Sequence, residues 1–162
     1  MSELAFLSPG RASADAAWRS PLERALRGAP AEISDLSLTG KIEIRGDLDA
    51  FAEKGAELVR ITPTRGLVLC DFTKTVAVLE RLRDDFLAID VSGTLAGLQL
   101  RGETLMRRIT DLDLDSLPAA GAVAHVQELV LRDGDTFRLF FGQEYSDYLA
   151  EVLLDAHEGL SA

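Results

Sequence analysis

Cysteine occurs once in this chain of 162 residues, as Cys70, so no internal disulfide and no thiolate metal cluster can form. A reducing compartment is the expectation. Histidine is nearly as scarce: His125 and His157 are too few for a His-rich zinc site and a thin supply for a Ser-His-Asp triad. His125 is expected inside a strand and His157 at a helix C-terminus, where positive charge is favoured, so both read as structural. Cys70 follows Val68 and Leu69 and reads as a small buried hydrophobe at a strand end.

Motifs that carry chemistry are missing too. No GxxxxGK[ST] loop, GxGxxG after a strand, HExxH, GxSxG or CxxC occurs, which argues against phosphate-loop, dinucleotide, zinc-protease, hydrolase-elbow and thioredoxin-type sites. Basic residues are outnumbered, 17 against 27 acidic, for a net charge of -10. Nucleic acid and anionic membranes are therefore disfavoured as partners, and the acid reads mainly as a solvated face. Met1 to Leu7 is short and apolar, lacks a basic flank and runs into Ser8-Pro9-Gly10. That is neither a signal peptide nor a membrane span, which predicts a cytoplasmic protein. Asp111, Asp113 and Asp115 imitate a calcium loop only superficially. Ser116 and Ala122 stand where an EF-hand needs Gly and Glu, and the run reads as a solvated edge.

What is present is a repeat. GKIEIRGD (Gly40–Asp47) has a partner in GLQLRGE (Gly97–Glu103), each an alternating strand that ends at Arg-Gly and is followed by an acid able to open a helix. With 47% hydrophobic and 27% charged residues, the composition suits one globular domain. Residues 1–19, rich in Ala, Ser, Gly and Arg, are expected as a flexible arm, with Trp18 packed on its own domain or anchored in another subunit. Residues 20–162 are expected as one duplicated α+β domain with halves of about 20–86 and 87–162.

Along that domain, Ser20-Pro21 predicts a short helix to Arg27. Strands are expected at 36–45, 57–61 and 66–70, then a helix over 73–85 with Val76, Leu79, Leu82 and Phe86 inward. The second half is expected to give strands at 86–91 and 95–101, a helix at 103–110 as the second copy of the short helix after Arg-Gly, and a long strand at 122–132. Asp133-Gly134-Asp135 forms a hairpin turn, and 136–141 returns to a closing helix at 143–157. That helix should place Tyr145, Tyr148, Leu149, Val152 and Leu153 on one face. The order predicts α+β strand-helix-strand units with a largely antiparallel sheet.

Arg45 and Arg101 occupy equivalent places in the two copies. They bind acidic helix N-termini or sheet-edge carbonyls, or one of them faces a cleft and holds a ligand carboxylate. The run from Asp90, DVSGTLAGLQLRGETLMRRITDLDLDSLPAAGAVAHV, resembles the aminomethyltransferase (glycine cleavage T-protein) folate-binding fold. Asp90, Ser92, Gly102, Leu117, Pro118 and Gly121 fall on its D-x-S, strand-end Gly and Leu-Pro-x-Gly positions. Within that fold the chain is similar to the gamma subunit of heterotetrameric sarcosine oxidase. The Gly-Gly and paired-Asp element of the transferase is not matched. The resemblance implies a noncatalytic accessory subunit, in sarcosine catabolism and one-carbon metabolism, docking a larger flavin- or folate-dependent subunit of an oxidoreductase complex. It implies no cofactor held by this chain alone, tetrahydrofolate being the one ligand the fold would suit, with Arg45, Arg101, Asp90 and Ser92 as candidate ligand residues. The other readings are a stand-alone folate-like small-ligand binder and a self-associating structural protein.

Overall fold

A computed structural model describes residues 19–161, so the expected arm, Trp18 included, lies outside the described residues except for Arg19. The order is β1 (Ile33–Asp35), β2 (Thr39–Arg45), β3 (Glu57–Thr62), β4 (Arg65–Asp71), α1 (Thr75–Leu82), β5 (Leu87–Asp90), β6 (Leu95–Arg101), α2 (Glu103–Ile109), β7 (Ala119–Val123), β8 (Val126–Asp133), β9 (Thr136–Gly142) and α3 (Ser146–Ser161). Every strand pair is antiparallel, in one sheet ordered β3-β4-β2-β5 and another ordered β1-β6-β9-β8-β7.

The duplication runs deeper than the Arg-Gly corner. β2 and β6 share one burial pattern position by position, and the strands around them follow in register: β4 matches β9, β3 matches β8, and α1 matches α3. Each repeat begins with a short strand that leaves home. β1 pairs with β6 of the second repeat, and β5 pairs with β2 of the first. The two halves are thus tied together by exchanged edge strands.

Strand faces follow the two-residue period, and so do the cores. One face of β2 and β4 (Ile42, Ile44, Val68, Cys70) packs with Val78 and Leu82 of α1. One face of β6, β8 and β9 packs with α2 and α3 through Leu98, Val130, Phe137, Leu139, Phe141, Met106 and Leu149. The opposite faces meet between the sheets, where Val59, Leu67 and Leu69 pack with Leu129, Leu131 and Phe140. The result is four layers, helix, sheet, sheet, helices, which is why β4, β8 and β9 read as nearly continuous apolar runs.

Several expectations need correction. Residues 36–45 are not one strand, because the chain turns at Leu36–Leu38 to carry β1 into the other sheet. Ser20–Arg27 forms turns instead of a helix, although Ser20 Oγ accepts from the Leu22 amide at 3.0 Å as an N-cap would. The long strand at 122–132 is a hairpin, β7 and β8, turning on Ala124 and His125 with φ of 47° and 68°. Neither residue advertises a left-handed turn. Tertiary bonds hold it: the Ala124 amide donates to Ile109 O at 2.7 Å, and Tyr148 Oη donates to Ala124 O at 3.0 Å. His125 therefore sits in a turn. α3 continues past His157 to Ser161, buries Leu149, Ala150 and Leu153, and leaves Tyr148 exposed, while Tyr145 is exposed on the 3-10 turn Gln143–Tyr145 before it; on α1, Val78 is buried and Val76 is exposed.

The largest correction concerns the second copy of the helix. In the first repeat Asp47 caps a 3-10 turn, accepting from the Asp49 amide at 3.1 Å, while Arg60 reaches from β3 to Leu48 O and Asp49. In the second repeat the same construction is Asp113, Leu114 and Asp115, held by Arg132 from the matching place on β8. The counterpart of the first short turn is thus Leu114–Ser116, and α2 is an insertion between the Arg-Gly corner and that turn. The alternating acids at 111–115 are not merely a solvated edge: Leu114 is buried and two of the three acids are engaged.

Candidate functional site

Asp90 and Ser92 form a corner at the end of β5. Asp90 Oδ1 accepts from the Ser92 amide at 2.9 Å, a local side-chain turn that frees Ser92 Oγ to point across the repeat boundary. There it accepts from the Lys41 amide at 2.8 Å and donates to Lys41 O at 3.3 Å. The same corner exists at the end of β1. Asp35 accepts from the Ser37 amide at 2.8 Å, and Ser37 Oγ accepts from the Gly97 amide at 3.2 Å. D-x-S is therefore doubled, and each serine fills the ladder of the other repeat's central strand where the exchanged edge strand departs. The signal was available: counting back from either Arg-Gly element reaches Asp-Leu-Ser or Asp-Val-Ser. Ser92→Ala is expected to lower stability by roughly 1–2 kcal/mol, and Ser37→Ala by less because its bonds are longer, both measurable by urea unfolding.

Lys41 and Gly97 are equivalent positions with different contents. At Gly97 an added Cβ would lie 2.9 Å from Leu36 O, so the backbone approach demands glycine. Lys41 is fully buried instead, and its Nζ donates to Ser37 O at 2.8 Å and Thr39 O at 2.7 Å, joining one repeat's corner to its own strand. Desolvation lowers its pKa to about 8, partly opposed by Asp35 and Asp90. No solvent reaches this amine, so it acts as a donor to carbonyls and has no access to a substrate.

The predicted arginines stand apart from these corners. Arg45 pairs with Glu43 at 2.9 Å, and Arg65 reaches the same carboxylate at 2.7 Å, which holds Glu43 below its ordinary pKa. Arg101 is exposed, and its side chain makes no hydrogen bond or ion pair among the described residues. Neither arginine lines the hollows between the sheets. Those hollows meet at a bidentate pair that sequence reasoning missed: Arg138 of β9 donates to both carboxylate oxygens of Glu57 on β3, at 2.7 and 2.8 Å. On one side lies a cavity of about 310 Å³ lined by Leu58, Val59, Pro118, Leu131 and the arginines 60, 132 and 138. On the other lies a shallow, open depression reaching Ala56, Leu69 and Cys70. Among the described residues no group of three or more His, Cys, Asp or Glu side chains gathers as a metal site. No helix there is long and apolar enough to cross a membrane.

Solved structures share this fold. One chain of the heterotetrameric sarcosine oxidase from Corynebacterium sp. U-96, in complex with pyrrole 2-carboxylate, superposes with a TM-score of 0.75 at 18% identity, covering 90% of this chain and 97% of that one. The glycine cleavage system aminomethyltransferase T from Bartonella henselae superposes at 0.59 and 16% identity over 83% of this chain. The fold is the aminomethyltransferase folate-binding fold. The chain spans about half the length of the transferase, 48%, but nearly the whole length of the oxidase chain. No protein-family model and no curated protein matches the sequence.

Proposed function

We propose that this protein is a noncatalytic accessory subunit, comparable to the gamma subunit of a heterotetrameric sarcosine oxidase, that docks a larger flavin- or folate-dependent subunit. The observation that carries this reading is the end-to-end match to a chain of similar length drawn from a heterotetrameric enzyme. The local chemistry agrees with it. The doubled serine corners spend their polar atoms on the backbone, and Lys41 is sealed. Meanwhile the edge strand β5 leaves Leu87 and Ile89 exposed, at 63% and 50%, beside Arg45. A strand edge unpaired among the described residues and bearing apolar side chains suits a protein partner. Copurification of the tagged full chain from its native host is the test. The expected result is a larger subunit recovered in stoichiometric amount with bound flavin; recovery of a monomer alone overturns the reading, and a pure homo-oligomer replaces docking with self-association.

A further inference from the structure

The two repeats differ most where their matching strands face each other between the sheets. By register, Glu57 of β3 occupies the place that Leu129 occupies on β8, and Leu67 of β4 occupies the place that Arg138 occupies on β9. The mate of the Glu57–Arg138 ion pair is therefore Leu67 with Leu129, and both leucines are buried in the core between the sheets. A duplicated fold closes one side of its seam with two leucines. It opens the other with a carboxylate and a guanidinium, flanked by a cavity on one side and an open depression on the other.

Packing does not account for this difference, because leucines already fill the equivalent space. Stability accounts for it only in part: the pair is bidentate, but Glu57 and Arg138 keep 48% and 28% of their side-chain surface, so solvent screens much of what the geometry gains. The other two arginines of the cleft are committed elsewhere. Arg60 holds Leu48 O and Asp49, while Arg132 holds Leu114 O, Gly134 O, Glu103 and Asp115. Arg138 alone offers its whole fork to one half-exposed carboxylate. That fork-to-fork geometry is the one by which arginine takes up a carboxylate from any source.

We propose that the cleft between β3 and β8 is a binding site for a small organic carboxylate with an apolar body, and that Glu57 is an internal occupant which the ligand displaces from Arg138. The ligand's carboxylate takes both Nη atoms of Arg138. Its body lies on Val59, Leu131 and Pro118, in a hollow of about 310 Å³, within the range of small-molecule sites. Moving Glu57 away from Arg138 also joins this hollow to its neighbour, since both residues line both. The site needs no partner subunit, so its failure and the failure of docking are read separately.

Sodium benzoate titrated into the isolated full chain, with benzamide as the uncharged isostere, tests this by amide chemical shifts and calorimetry. Benzoate is expected to bind with Kd of about 1 mM, shifting the amides of Val59 and Leu131, and benzamide at least about tenfold more weakly. Glu57→Gln removes the internal competitor and should tighten benzoate about five- to tenfold. Arg138→Gln should abolish binding. Arg138→Lys, which keeps the charge and tests folding, should weaken it about tenfold by losing the fork. Equal affinity for benzamide, indifference to Arg138→Gln, or no shifts in either wild type or Glu57→Gln up to about 20 mM benzoate overturns the proposal.

Discussion

Glu128→Met is expected to stabilise the protein by about 3–5 kcal/mol at pH 9 and by no more than about 1 kcal/mol at pH 4.5. Glu128 lies on β8 between Gly121 and Phe141, on the same strand face as Val126 and Val130, which belong to the core under α2 and α3. It is 3% exposed, and among the described residues neither carboxylate oxygen has a hydrogen-bond partner. Desolvation alone pushes its pKa up to about 8. In the unfolded chain the carboxyl ionises near its ordinary 4.5, so between pH 4.5 and 8 the unfolded state has lost a proton that the folded state keeps. Stability therefore falls with rising pH across that window and levels off above it. The matching position in the first repeat is Ala56, so the fold does not require an acid there. Urea unfolding of both proteins at several pH values checks the claim; a stability difference that ignores pH defeats it.

The sequence made the duplicated strand legible because Arg-Gly followed by an acid is rare enough to be noticed twice. It also yielded the α+β class, most strand positions and the Gly134 hairpin, since each depends on local alternation and turn chemistry. The exchange of β1 and β5 was not legible, because leaving one sheet for another depends on pairing across repeats that local pattern does not encode. Nor was the role of α2, which takes the acid position after Arg-Gly and so passes for the short turn it displaces. Ala124 and His125 carry no turn signature, and their positive φ is held by contacts from Ile109 and Tyr148. Glu57 and Arg138 lie 81 positions apart and meet only once the two sheets are stacked. The corner that Asp90 and Ser92 form was not foreseen either, since D-x-S entered only as a motif of the resemblance, although their first-repeat twins Asp35 and Ser37 were there to be read.

Lys41→Met is expected to leave stability near that of wild type at pH 7 and to cost roughly 3 kcal/mol at pH 10.5. Two effects oppose each other at this buried amine. Losing the donor leaves Ser37 O and Thr39 O unpaired inside the protein, while removing a desolvated charge relieves a penalty of similar size. Below pH 8 wild type carries that penalty in full, because folded Lys41 is charged there. Between pH 8 and 10.5 the unfolded chain still binds the proton and the folded one does not, so wild-type stability rises with pH through that window. The neutral amine keeps two N–H donors for its two carbonyls. Methionine gains nothing over the same range, and the two curves must diverge. Lys41→Ala adds a cavity and should be worse than Lys41→Met by about 2 kcal/mol at every pH. Glu128 and Lys41 sit on opposite faces of different sheets, so their contributions should add and give a wild-type minimum near pH 8. Glu128→Met should remove the falling limb and Lys41→Met the rising one. Urea midpoints from pH 5 to 10.5 for wild type, both single variants and the double variant read this directly. A double variant that still shows both limbs would mean that neither buried group sets them.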